Sequence, residues 1–197
     1  AYNVDEIHEV EGEPDIEKYT GIFRRLIGRH ESLRTAIVLV QGTPVQRSYR
    51  EVKFEVEYTE ITAADPGNPG ESEKGGRGQE PVLQAIARFI RPFDLARAPL
   101  LRVGVIKTAP QRHILVVDMH HIASDGVSHG VLIQDFLALY RGEALPGLRL
   151  QYRDYSEWQQ TPGVKTGFEQ QERYWLKQYQ EEIPFLTLPA DYPRPAV

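Results

Sequence analysis

The sequence predicts an α+β fold, a two-layer sandwich of helices on a mixed sheet. Three observations carry that reading. Apolar residues recur at helical spacing in separate stretches, first over residues 14–28, where Ile16, Tyr19, Ile22, Phe23, Leu26 and Ile27 share one face. Short β-branched or alternating runs at 33–40, 52–58, 100–107 and 112–119 have the period of strands. Turn residues, Gln41-Gly42-Thr43-Pro44 and Ala109-Pro110, join neighbouring runs into hairpins.

In chain order, residues 4–10 form a first short strand ending at Gly12, and Pro14 and Asp15 open the first helix. The strand at 33–40 turns back through 45–49. Over 52–58, Val52, Phe54, Val56 and Tyr58 alternate with Glu51, Lys53, Glu55 and Glu57, a strand with one buried and one wet face. Residues 63–79 are dense in Gly, Pro and charge and have no apolar anchor, which predicts a mobile surface loop. A helix follows from Glu80-Pro81 to about Arg91, ended by Pro92. The hairpin 100–107 and 112–119 then leads to a helix at 127–140, a Gly/Pro-containing loop at 142–147, and a short helix at 152–160 stopped by Pro162-Gly163. The last helix spans 168–181. The tail, 186–197, holds Pro189, Pro193 and Pro195 and reads as an extended connector.

Composition narrows the class of function. Of 197 residues, 41% are hydrophobic and 26% charged, the balance of a soluble globular chain. No apolar run is long enough to span a membrane, and residues 1–6 lack the basic and apolar pattern of a signal peptide. The absence of cysteine excludes a disulfide scaffold and a cysteine nucleophile and suits the cytoplasm. A net charge of −5 argues against general affinity for nucleic acid or anionic membrane.

The chemistry concentrates at Met119-His120-His121-Ile122-Ala123-Ser124-Asp125-Gly126, where a buried strand ends and a helix begins. Neighbouring strand residues face opposite ways, so one histidine enters a cleft while the other packs inward or across. Asp125 or Ser124 suits the N-cap. The helix N-terminus offers unpaired N–H groups for a developing oxyanion, and Gly126 allows close approach of a substrate. This arrangement suits a histidine that accepts or orients a proton beside a carbonyl under attack. Other readings stand beside it. The two histidines can be hydrogen-bonded core or rim groups. His120, His121 and Asp125 can be metal ligands, although opposed strand faces make joint ligation awkward. Ser124 or Ser128 can be a nucleophile, although neither lies in a G-x-S-x-G elbow.

Residues 120–128, His-His-Ile-Ala-Ser-Asp-Gly-Val-Ser, resemble the HHxxxDGxS signature of condensation domains of nonribosomal peptide synthetases; related HHxxxDG acyltransferases share a shorter form. Three more stretches match that family in order. Arg29-His30-Glu31-Ser32-Leu33-Arg34-Thr35 resembles RHExLRT. Arg91-Pro92-Phe93-Asp94-Leu95 with Ala98-Pro99-Leu100-Leu101-Arg102 resembles RPFDLxxAPLLR. Tyr152-Arg153-Asp154-Tyr155-Ser156-Glu157-Trp158 resembles YxDFAxW.

The resemblance implies a chloramphenicol-acetyltransferase-like N-terminal lobe over residues 1–185, with 186–197 as a linker toward a C-terminal lobe. It implies a chain that is a piece of a larger domain, starting after the family's first motif. It implies amide bond formation between a donor aminoacyl or peptidyl thioester and the α-amine of an acceptor aminoacyl thioester. Both substrates would ride on phosphopantetheine arms of upstream and downstream peptidyl carrier proteins, so no cofactor or metal need be bound directly. An adenylation domain of the same megasynthetase is a further implied partner. His121 would face the tunnel and deprotonate or position the amine. His120 would pack or hydrogen-bond behind it, Asp125 would hold Arg29 or Arg34 in an ion pair, and Gly126 would keep the approach open. His30, Tyr152, Asp154 and Trp158 read as scaffold. Val127-Ser128-His129-Gly130 departs from the Val-Ser-Trp-Arg pattern of epimerisation domains, which favours an L-configured donor. The alternatives are a catalytically incompetent fragment or docking or scaffold module, and a related HHxxxDG acyltransferase.

Overall fold

The computed structural model describes residues 2–61, 80–181, 189 and 191–192. They divide into two compact units, Ala1–Arg153 and Asp154–Val197. The stretch expected to be a mobile loop, 63–79, lies outside the described residues, as does most of the expected connector at 186–197.

In the first unit, β1 (Asn3–Glu11), β6 (Arg112–His120), β5 (Leu101–Ala109) and β4 (Glu57–Glu60) lie side by side in that order. β6 pairs antiparallel with both β1 and β5, while β4 runs parallel to β5, so the sheet is mixed. β5 and β6 are apolar along both faces and need cover on both. On one face, α1 (Ile16–Arg29) and α3 (Gly126–Tyr140) bury Phe23, Leu26, Ile27 and Leu132 against Leu101, Val103, Leu115, Val117 and Met119. On the other, α2 (Glu80–Phe89) sets Ile86 and Phe89 on Ile106 and Val116. Each such buried side chain contributes about 1.5–3 kcal/mol.

Local chemistry explains the element boundaries. Asp15 caps α1 by accepting the Lys18 amide at 2.8 Å. β2 (Thr35–Val40) and β3 (Thr43–Ser48) close around Gln41 (φ 52°) and Gly42 (φ 80°), a pair of positive φ angles that suits a two-residue hairpin turn.

Four expectations shift. β2 and β3 form their own two-stranded ribbon rather than joining the main sheet. The strand expected from 33 begins only at Thr35, because Glu31–Arg34 closes as a 3₁₀ turn. Residues 51–56 alternate in burial as expected, with Phe54 and Val56 in the core, yet make no ladder until Glu57. In the second unit, Pro162 starts rather than stops a helix: α5 runs Pro162–Gln178 behind Thr161, with proline where its missing N–H costs nothing. α4 (Tyr152–Gln159) precedes it across the unit boundary. Along α5, Trp175 stacks on Tyr179 at 6.0 Å and meets Tyr174 edge-on at 5.3 Å.

The α2-covered face contains an ion pair between cross-strand partners. Arg102 meets Asp118 at 3.0 Å, with the aspartate side chain fully buried and the arginine 13% exposed. Asn3 donates to the same Asp118 oxygen at 3.2 Å and to the Arg91 carbonyl at 3.0 Å, which Arg102 also reaches. The guanidinium lies over the Phe93 ring at 3.8 Å. Burial raises the Asp118 carboxyl above its ordinary range, with Arg102 and Asn3 opposing; burial likewise lowers Arg102, with Asp118 opposing. The pair is thus an expensive arrangement held by both partners being present.

Arg102→Met should lower stability by about 3–5 kcal/mol at neutral pH, because it strands a buried carboxylate. Asp118 has a raised folded pKa, so its ionisation costs stability as pH rises from the ordinary carboxylate range through that raised value. The Arg102→Met loss should therefore shrink on acidification toward pH 4, read by urea unfolding at each pH. Gly104 sits under Phe89, where a Cβ would come within 2.5 Å of the ring. Gly104→Ala should cost about 1–3 kcal/mol in the same assay, with part recovered by adding Phe89→Leu.

Candidate active site

β6 ends at His120, and residues 121–123 turn toward α3. Backbone bonds pin this turn. His120 N–H donates to the Leu100 carbonyl (3.1 Å), His121 N–H to the Tyr2 carbonyl (2.8 Å), and Ala123 N–H to the His120 carbonyl (2.9 Å). A ring nitrogen joins them: Ile122 N–H donates to His120 Nδ1 at 3.1 Å. The His120 ring is half-buried, edge-on to Phe93 at 6.1 Å and tilted against Tyr2 at 6.4 Å. Burial, then the neighbouring His121, pulls its pKa below the usual histidine value. His121 is exposed and lines an open groove of about 320 Å³ with Ser32, Asp125, Ser128 and Tyr152.

Asp125 is the N-cap of α3. Its Oδ1 accepts from Ser128 N–H at 2.8 Å and from Ser128 Oγ–H at 2.6 Å. These bonds, the side chain's first, hold the exposed carboxyl below its ordinary range. The expected ion pair with Arg29 or Arg34 is not formed, because a carboxylate turned back onto its own helix end is already satisfied. The same geometry weakens the oxyanion reading of this helix terminus: its own side chain occupies the Ser128 donor. A Cβ on Gly126 would meet nothing within 4 Å, so the backbone here borders open space. Among the described residues no three His, Asp or Glu side chains are grouped to hold a metal ion. The hydroxyl of Ser124 is directed to the His120 carbonyl at 3.4 Å.

Arg29 and Arg34 do other work. Arg29 Nε donates to Asp135 Oδ2 at 2.9 Å, and His30 Nε2 shares that oxygen at 2.8 Å, so the end of α1 grips the middle of α3. His30 is a satisfied structural histidine, as expected. Arg34 donates to the Tyr49 carbonyl and lies 3.6 Å from Glu31. Glu31 is buried, forms an ion pair with Arg153 at 3.5 Å, and gives its N–H to Gln151 Oε1 at 3.0 Å; Gln151 returns a bond to the Arg29 carbonyl at 2.9 Å. Residues 29–35 are thereby fastened to residues 151–153.

Sequence reasoning missed Ser32 as a groove residue and placed Tyr152 only as scaffold; the structure puts both on the groove wall. Their position inside two of the four recurring stretches was the available signal. It also missed Arg102 and Asp118, whose cue was a charge in each of two otherwise apolar strands.

Comparison with known proteins agrees with this geometry. The condensation domain family profile matches residues 1–197. The chain is 44% identical over 197 residues to tyrocidine synthase 3 of Brevibacillus parabrevis and 43% identical over 195 residues to bacitracin synthase 3 of Bacillus licheniformis, matches that cover 100% and 99% of this chain. It spans only 3% of the length of either protein. The cyclization–docking bidomain of EpoB from Sorangium cellulosum superposes with a TM-score of 0.74 at 22% identity, over 98% of this chain and 36% of that one. The X-domain from teicoplanin biosynthesis gives 0.72 at 24% identity, over 100% and 42%. With the exposed ring of His121 on a groove and a family match running from end to end, this chain belongs to the condensation-domain family of nonribosomal peptide synthetases.

Proposed function

We propose that this chain is the N-terminal lobe, residues 1–185, of a domain that joins two carrier-bound acyl groups through an amide bond, with 186–197 leading to a C-terminal lobe. The observation that carries the reading is the exposed imidazole of His121 on an open groove, at a turn pinned by main-chain bonds to Tyr2 before β1, to Leu100 before β5 and within itself. The α-amine of the acceptor aminoacyl thioester attacks the donor thioester carbonyl. A C–N bond forms, the C–S bond breaks, and the amine proton passes to the departing thiolate. His121 accepts or orients that proton. The carrier proteins on either side supply both thioesters on phosphopantetheine, so this lobe needs to hold no cofactor of its own. His120 and Asp125 shape the turn, and Gly126 leaves the approach open. The run Val127-Ser128-His129-Gly130 supports an L-configured donor, and an adenylation domain of the same cytoplasmic megasynthetase loads the acceptor carrier.

A second reading, a docking module without turnover, is favoured for the chain standing alone by its uncovered apolar side chains on α3: Val127 is 77% exposed, and Val131 and Leu137 are exposed as well.

His121→Ala in the intact synthetase should cut dipeptidyl thioester formation about a hundredfold or more, with carrier loading unchanged; turnover near wild type overturns the assignment. The chain alone, mixed with both loaded carriers, should give no product and should self-associate in light scattering. Product from the chain alone would show that one lobe suffices.

A further inference from the structure

We propose that His120 is a positioning residue that holds the His121 turn through an unprotonated Nδ1, and so acts as a proton-sensitive latch on the groove. The inference rests on reading His121 as the reactive imidazole. An amide N–H can only donate. The 3.1 Å bond from Ile122 N–H therefore needs a lone pair on His120 Nδ1, which fixes the ring as the neutral Nε2–H tautomer. Protonation puts N–H against N–H at that contact, and the attraction becomes a repulsion. The remaining ties in the turn lie on either side of Ile122: His121 N–H to the Tyr2 carbonyl, and Ala123 N–H with the Ser124 hydroxyl to the His120 carbonyl. Losing the Nδ1 contact frees the one peptide between them, directly after His121.

The surroundings favour the neutral ring. Phe93 covers it edge-on, and Arg102 sits on Phe93 with its charge directed to Asp118 on the same strand as His120. Just ahead of β1 it faces Tyr2, and along the chain it neighbours His121, whose charged form adds a further cost to protonating His120. No carboxylate hydrogen-bonds to the His120 ring among the described residues, whereas His30 and His129 each share a bond with one, at 2.8 and 2.7 Å. His120 is set apart as a histidine kept as an acceptor.

The test uses nitrogen-detected NMR and amide exchange on the chain as it stands, with His120→Asn beside it. Asparagine places Oδ1 where Nδ1 sits and does not titrate. His120 should show the Nε2–H tautomer at neutral pH. After correction for intrinsic rates, Ile122 exchange should rise about tenfold as His120 is protonated, whereas His120→Asn should keep its protection over the same range. An Nδ1–H tautomer, or titration of His120 without change at Ile122, overturns the latch, and the wild-type measurement decides even if the variant folds poorly. A latch that titrates as described while His121→Ala remains active would sink the functional reading and leave the latch standing.

Discussion

The ion pair between Arg102 and Asp118 is the constraint on which the site end of the sheet depends. It joins β5 to β6 two residues before the paired histidines, on the face away from α1 and α3. A charge pair in a core is a poor source of net stability, since desolvation takes back most of the attraction. Its worth is geometric. Asp118 has one arrangement in which Arg102, Asn3 and the Arg91 carbonyl are all served, and that arrangement sets the strand ends and the Phe93 ring against His120. A Leu–Leu pair would bury more apolar area and would specify less.

The recurring sequence stretches turn out to be joints. Arg29 and His30 grip Asp135 in α3, Glu31 and the Arg29 carbonyl are tied to residues 151 and 153, and Arg91 and Phe93 back the Arg102–Asp118 pair. Charged side chains with low exposure serve well here because each leaves an unpaired charge if its partner moves. The groove residues His121, Ser32 and Tyr152 thus stand on walls whose spacing is held by bonds made just behind them.

Much of this is legible in the residue order. The helical face of α1, the apolar strand β6 and the cap at Asp125 follow from local periodicity and capping chemistry, and the differing exposure of His120 and His121 goes with the strand ending between them. Partner choice does not. Arg29 lies 106 residues from Asp135, and nothing local distinguishes that carboxylate from Asp125. Alternation at 51–56 looks like a ladder because an extended chain lying on a core alternates in burial whether or not a neighbour pairs with it. Pro162 looks like a stop because proline ends one helix and begins another with the same chemistry.

The pairing of β1 with β6 has a consequence for how the molecule comes into being. Among the described residues, 3–11 find their sheet neighbour only in 112–120, so this strand, once made, must wait for one more than 100 residues later. At synthesis rates of about 5–20 residues per second, that wait is on the order of 5–20 s. Meanwhile the amphipathic α1 emerges with its cover still unmade. The histidine turn closes only when a segment made more than 100 residues earlier is brought back, since the carbonyl of Tyr2 is what receives the amide of His121.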